Sequence, residues 1–274
     1  MRVGFIGTGR MGAPMAARLA AAGHRVRALG RSADRRAAIN ELGAQPVATA
    51  VEVADQADVV VVCVFTDEQV GEVCLQRDLL AAMPERCVLV VHTTGSPRTV
   101  EAVAAAAPRI DVIDAPVSGG PHDVAAGHLT VFVGGPDDAV ARARPVLAGY
   151  ADPILHVGPT GAGQRVKLVN NTLFAAQIGL VAEAVRLGGR LGVAESTLLD
   201  ALPHASGASR VLASIAAAGS VSSFTRVVGE FLAKDVAVAA NTVAELGGDL
   251  GVLDDVLNVL TAVPVSPHSA GGVQ

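Results

Sequence analysis

The run Val59-Val60-Val61-Val62-Cys63-Val64-Phe65 limits the fold more than any other feature of the chain. It is far shorter than a membrane span and too continuously apolar for a strand with one wet face. β-branched side chains favour extended backbone, so the run reads as a strand buried on both sides. Comparable runs recur at Val3–Ile6, Val26–Leu29, Val88–Val91, Val112–Ile113 and Leu129–Val133. Helix-period stretches at Met11–Ala22, Asp34–Leu42 and Thr99–Ala107 lie between them. This alternation predicts an α/β fold, a doubly wound parallel sheet with helices on both faces.

From about Gln164 the β pattern vanishes. Gln164–Leu191 reads as one long helix, followed by helical stretches at Glu195–Leu202, Ser209–Ala217, Val227–Leu246 and Leu250–Leu260. The expected organisation is a nucleotide-binding α/β domain over 1–161 and an all-helical domain over 162–263, with the long helix as bridge. Residues 264–274 are rich in Pro, Ser and Gly and read as a flexible tail.

Hydrophobic residues make up 51% of the 274 residues, yet only 3% are aromatic and Trp is absent, so the core must be aliphatic. A net charge of −5 with mixed signs gives no basic patch for nucleic acid or an anionic membrane. Cys63, Cys74 and Cys87 lack metal-ligand spacing and read as buried free thiols, which fits a reducing, cytoplasmic home. No signal peptide is visible, and no uninterrupted apolar run approaches the roughly 20 residues of a membrane span.

The first motif with chemistry in it is Gly7-Thr8-Gly9-Arg10-Met11-Gly12, set between an apolar strand and an Ala-rich helix. Gly7 permits a tight turn, Gly9 lets a pyrophosphate approach the backbone, and Gly12 lets the helix pack on the strand. The helix N-terminus adds amide donors for phosphate. At the end of the second strand, an NAD site places an acid against the ribose hydroxyls. Here Arg31 and Ser32 stand instead, donors suited to a 2′-phosphate, so NADP(H) is expected over NAD(H).

Asp114-Ala115-Pro116-Val117-Ser118-Gly119-Gly120-Pro121 follows another strand and falls at the sheet edge where ligands sit. The Ser118 hydroxyl and the amides of Gly119 and Gly120 can hold a carboxylate. After the turn Gly161-Ala162-Gly163, Lys167 and Asn171 share one helix face. Lys167 is expected in the first helical turn, where the dipole disfavours an ammonium, so that it can exchange a proton with an alcohol or carbonyl oxygen. Asn170 points roughly 100° away. Lys234-Asp235 reads, by itself, as an ordinary exposed pair.

Together these segments resemble the β-hydroxyacid dehydrogenase family, which includes 3-hydroxyisobutyrate dehydrogenases and tartronate semialdehyde reductases. The resemblance rests on Gly4–Ala16, Asp114–Gly120 and Gly161–Asn171 and runs to about Asp235. It implies a Rossmann domain, a long bridging helix and a helical domain that forms a homodimer or homotetramer. It implies Lys167 as catalytic acid/base, Asn171 as the residue orienting substrate, and Ser118, Gly119 and Gly120 as the carboxylate site. Phe65 and Thr66 would line the cofactor, Thr94 would lie near the nicotinamide, and Lys234 would close over both ligands. The family departs from this chain beside the substrate motif, where Asp123-Val124 replaces a Gly-Ala pair and His128 a Thr; Asp123 is therefore counted among the residues that set the substrate.

The expected activity is NADP(H)-dependent interconversion of a 3-hydroxyacid, or a related alcohol, with its aldehyde or keto acid. An imine reductase shares the architecture but carries Asp or Tyr at the Lys167 position. A catalytically silent NADPH-binding regulatory protein would be expected to lose the lysine and gain fused domains.

Overall fold

The computed structural model describes residues 1–76 and 78–262, so the expected tail at 264–274 lies outside the described residues. The chain forms two compact units, one of residues 1–167 and one beginning at Leu168.

The first unit opens with β1 (Arg2–Ile6), α1 (Gly12–Ala21), β2 (Arg25–Leu29), α2 (Ala33–Glu41), β3 (Gln45–Val47) and α3 (Ala50–Ala54). It continues with β4 (Val59–Val62), α4 (Asp67–Cys74), α5 (Leu79–Ala82), β5 (Val88–Val91), α6 (Pro97–Ala106) and β6 (Asp111–Asp114). Then come β7 (Val117–Ser118), α7 (Pro121–Ala126), β8 (Leu129–Gly134), α8 (Asp137–Leu147) and β9 (Ala151–Gly158). Strands run in the order β3-β2-β1-β4-β5-β6-β8-β7, with β9 paired to β8. β1 to β6 are mutually parallel, whereas β8 runs antiparallel to β6 and β7. The first six strands have the doubly wound order, with the direction of winding reversing between β1 and β4.

Both faces of the sheet are dry. Val59, Val61, Val88 and Val90 join a core with Phe5, Met15 and Leu19, while Val60, Val62, Leu89 and Val91 join the opposite one with Val70, Leu79 and Val100. Period-two alternation therefore sends every residue of β4 into apolar surroundings, which is why the valine run has no polar position.

Strands β3, β7 and β9 are absent from the apolar pattern for physical reasons. β3 is a short edge strand containing Pro46, and β9 carries largely exposed side chains, with Pro153 inside it. β7 has only two residues.

The second unit is helical: α9 (Ala162–Arg190) crosses into it, followed by α10 (Glu195–Ala201), α11 (Arg210–Ala218), α12 (Val221–Glu245) and α13 (Val252–Ala262). Its core gathers Ile178, Leu199, Val211, Ile215, Val228 and Leu232. A Cβ on Gly179 would lie 2.5 Å from the Val256 carbonyl, so α9 and α13 approach there at backbone distance. α12 starts at Val221 rather than Val227, because Ser220 caps it by accepting from the Ser223 amide at 3.1 Å. α9 is, by length and composition, apolar enough to cross a membrane, with 44% of its most apolar window buried within the protein. Its polar residues interrupt the apolar sequence without lowering its mean hydropathy below that of a span.

Candidate active site

The glycine turn, Arg31-Ser32, Phe65-Thr66 and Thr94 follow β1, β2, β4 and β5, so parallel registry brings all of them to one edge of the sheet. The three glycines of the turn have different reasons. A Cβ on Gly7, which holds φ +102°, would lie 2.1 Å from the Cys63 carbonyl oxygen. One on Gly12 would lie 2.0 Å from the Gly7 carbonyl oxygen. A Cβ on Gly9 would meet nothing within 4 Å. The protein itself thus requires glycine at 7 and 12 but not at 9. The open side of Gly9 at the start of α1 is a cradle that fits the pyrophosphate of a dinucleotide.

Arg31 is exposed just beyond β2. Ser32 caps α2, its Oγ accepting from the Arg35 amide at 3.2 Å, which leaves the hydroxyl proton to donate. Arg36 folds back, donating from Nη1 to the Gly30 carbonyl at 3.1 Å, and a Cβ on Gly30 would collide with its stem at 2.7 Å. Arg31, Arg35 and Arg36 therefore surround the end of β2 with positive charge. Sequence reasoning singled out only the first of them.

Phe65 is exposed, and its amide donates to Gln69 Oε1 at 2.8 Å. Thr66 caps α4, accepting from the Gln69 amide in a capping box. Thr93 braces this edge: its Oγ1 donates to the Val64 carbonyl at 2.9 Å and accepts from the Val64 amide at 3.2 Å. Behind it, His92 Nε2 meets the Tyr150 hydroxyl at 2.7 Å and Nδ1 the Ala115 carbonyl oxygen, all buried. Burial pushes the His92 imidazole down to about 4. The thiols of Cys63, Cys74 and Cys87 are pushed up to about 12 by burial and are chemically quiet.

The segment after β6 corrects one expectation. Gly120 does not offer its amide outward: it donates to Asp123 Oδ2 at 2.6 Å, closing the first turn of α7. The Asp123 carboxylate is also 3.3 Å from His122 Nε2. Asp123 is therefore occupied in holding the turn. Ser118 pairs with Thr130 across β7 and β8, and Gly119, at φ +132°, is exposed.

Lys167 stands in the second turn of α9 rather than the first, and it is only 7% exposed. The terminal dipole falls off within the first turn, so anchoring and burial, rather than the helix end, define its setting. Asp114, the last residue of β6 and fully buried, accepts from the Gly161 amide at 2.6 Å and the Gln164 amide at 2.7 Å. Burial lifts the Asp114 carboxyl to about 6 against the pull of those two donors. Gln164 then reaches the loop after β5, donating Nε2 to the Thr93 carbonyl at 2.8 Å and accepting from the Gly95 amide at 3.0 Å. Lys167, less than one turn further on, is thereby hung from the same sheet edge as the glycine turn. Neither Asp114 nor Gln164 is given a role by the sequence alone; the only sign of one is their position inside the two motifs.

Within the helical unit, Asn171 is 3% exposed and donates from Nδ2 to Asp235 Oδ2 at 2.5 Å. Asn170, about 100° round the helix from Asn171, still reaches it: its Nδ2 donates to Asn171 Oδ1 at 3.0 Å. Lys234 Nζ lies 2.7 Å from Asp235 Oδ1. Asp235 is 3% exposed, which corrects its reading as an exposed residue. One carboxylate thus fixes both Asn171 and Lys234. Among the described residues, no group of three His, Cys, Asp or Glu side chains is placed to hold a metal.

A family model described as the NAD binding domain of 6-phosphogluconate dehydrogenase matches residues 2–158. A second, described as NAD-binding of NADP-dependent 3-hydroxyisobutyrate dehydrogenase, matches residues 161–267. The chain is 38% identical over 208 residues to a 3-hydroxyisobutyrate dehydrogenase of Pseudomonas aeruginosa, a match covering 75% of this chain and 70% of that one. It is 34% identical over 209 residues to an NAD-dependent L-serine dehydrogenase of the same organism, again covering 75% and 70%. Among solved structures, a Mycobacterium tuberculosis 3-hydroxyisobutyrate dehydrogenase with L-serine superposes with a TM-score of 0.84 at 31% identity, covering 96% of this chain and 94% of that one. With its doubly wound sheet, glycine cradle and anchored lysine, the chain belongs to the β-hydroxyacid dehydrogenase family.

Proposed function

We propose that the protein is an NADP(H)-dependent oxidoreductase that interconverts a 3-hydroxyacid with its aldehyde or keto acid. The observation that carries the reading is the anchoring of Lys167, buried on a helix whose first turn is bonded to Asp114 and, through Gln164, to Thr93 and Gly95. The Gly7–Gly12 turn would hold the pyrophosphate, and Arg31, Ser32 and Arg35 the 2′-phosphate; the bound nicotinamide supplies or accepts the hydride. Lys167 Nζ takes the proton from the substrate hydroxyl in oxidation and returns it to the carbonyl oxygen in reduction. Asn171, one helical turn on, orients that oxygen with its amide. Ser118 and Gly119 receive the carboxylate of the substrate. Self-association into a homodimer or homotetramer and a cytoplasmic location complete the reading.

The test is nicotinamide absorbance with NADP⁺ and NAD⁺ in parallel, over a panel of 3-hydroxyacids and simple alcohols. Turnover of a hydroxyacid with NADP⁺ is expected. Lys167→Ala should lower kcat by roughly 10²–10⁴-fold, the usual share of acid–base catalysis, with dinucleotide affinity little changed. Retained turnover in that variant would remove the lysine from the mechanism. Arg31→Ala should weaken NADP⁺ binding at least about tenfold and leave NAD⁺ nearly untouched, as loss of a charge-assisted contact predicts. Equal loss for both nucleotides would refute the phosphate assignment.

A further inference from the structure

Gln164 reaches from the helix that carries Lys167 to the loop after β5 and bonds both backbone groups that flank Thr94. Its side chain is buried, its Nε2 donates to the Thr93 carbonyl at 2.8 Å, and its Oε1 accepts from the Gly95 amide at 3.0 Å. Those are the two bonds that one residue of a parallel strand makes with the strand beside it. A side-chain amide therefore takes the place of a strand beside Thr94, beyond the end of β5 at Val91. Thr93 and Gly95 are buried and Thr94 between them is partly exposed, so Thr94 is the one of the three with surface to offer a ligand.

A second grip on the loop comes from α4. Asp67 Oδ2 accepts from the Ser96 amide at 2.8 Å, and a Cβ on Gly95 would lie 2.1 Å from Asp67 Oδ1. Glycine at 95 is what lets the carboxylate come that close. The loop is thus a fixed point, and Gln164 ties α9 to it. Asp114 already begins α9 through the Gly161 and Gln164 amides, so the two side-chain bonds of Gln164 are not needed to start the helix. What they add is a set distance from the backbone of Thr94 to Lys167, which stands three residues on from Gln164 and on the same helix face.

We propose that Gln164 is a positioning residue: its amide holds the lysine-bearing face of α9 in register with Thr94, and so with the nicotinamide that Thr94 would line. This role rests on the oxidoreductase reading above and adds to it the residue that fixes its geometry. Oxidation of an alcohol breaks a C–H and an O–H bond on adjacent atoms: the hydride goes to the nicotinamide, the proton to Lys167 Nζ, and a C=O bond forms. The two acceptors must keep one spacing, because a misplacement of about 1 Å costs roughly a hundredfold in rate. Gln164 ties one acceptor to the loop that lines the other.

The experiment compares wild type with Gln164→Met, which keeps the length of the side chain and removes both bonds. The readouts are steady-state kinetics and amide hydrogen exchange by mass spectrometry, with Tm to show that the variant folds. In Gln164→Met kcat should fall about ten- to a hundredfold, while substrate KM and NADP⁺ affinity stay near wild type. In wild type NADP⁺ should slow exchange both at 93–96 and at 161–167; in the variant it should slow only the first segment. Gln164→Glu adds a pH readout. Its ionised carboxylate accepts from Gly95 but cannot donate to Thr93, and protonation restores the donor. Asp114, bonded to the backbone amide of 164, and Asp67, against Gly95, favour that protonation. Lys167 and Arg165, on the same helix, oppose it, with Arg165 itself paired to Glu101. All of these are present in wild type as well, so the kcat of Gln164→Glu relative to wild type should rise as pH falls. Inactive wild type overturns the oxidoreductase reading and this role with it. Active wild type whose kcat survives in Gln164→Met, or an NADP⁺ effect that still reaches 161–167 there, overturns the positioning role alone. If Gln164→Met does not fold, a flat pH ratio in Gln164→Glu overturns it.

Discussion

Asp114 is a carboxylate with no exposed surface that accepts two backbone amides and thereby starts the helix that carries Lys167. An asparagine there has only one accepting oxygen and turns an NH2 group toward an amide that also donates. Asp114→Asn should therefore cost about 2–3 kcal/mol in urea unfolding, the range for a lost charge-assisted bond with a buried donor left over. It should also lower kcat, since the start of α9 is no longer pinned. Unchanged stability would show that the amides find other partners. His92 supplies a second test at this scale. Its imidazole titrates at about 4 in the fold, well below its ordinary 6.5. Between those values the unfolded chain binds the proton and the folded one does not, so wild type loses stability as pH falls through that window. Asp114 acts in the opposite sense: its carboxyl, lifted to about 6 from 3.8, favours the folded state as pH falls through the same range. The two nearly cancel in wild type. The Asp114 contribution is common to wild type and His92→Gln and drops out of their difference, so the stability advantage of wild type over the variant should grow by about 3 kcal/mol from pH 4 to pH 7. A pH-independent difference between the two unfolding curves would contradict this account of His92.

At the scale of elements, the glycine turn separates folding from binding. Gly7→Ala and Gly12→Ala force a Cβ to within about 2 Å of backbone oxygens and should destabilise the apo protein by several kcal/mol. Gly9→Ala meets open space and should leave the apo Tm unchanged, while weakening dinucleotide binding at least about tenfold by titration calorimetry. A Gly9→Ala protein that binds normally would mean that the nucleotide approaches elsewhere. The elements themselves were legible in proportion to their burial. β4 and β5 are wet on neither face and show as unbroken valine runs, so sequence places them within two residues. β9 is mostly exposed and β3 is an edge, and neither leaves an apolar trace. The start of α12 was hidden because Ser220 and its neighbours read as loop residues until the Oγ of Ser220 is seen to cap the helix.

For the molecule as a whole, the motifs located the candidate site but not its internal bonding. The glycines, Arg31 and Lys167 could be named because each falls in a local motif of recognisable residue type and spacing. Asp114, Gln164 and Asp235 answer to other residues distant in sequence, by 50, 69 and 64 positions. Such pairings are set by the packing of strands and helices, which no local pattern records. Asp123 was named only for its departure from the family pattern beside the substrate motif; its bond to the Gly120 amide is seen only in the fold.

The open face of Gly9 has a bearing on descent. In a lineage that ceased to use the nucleotide, selection would let go of position 9 while the fold went on demanding glycine at 7 and 12. Drift at that single position, in chains that keep its two neighbours, would be a record of abandoned chemistry readable without any assay.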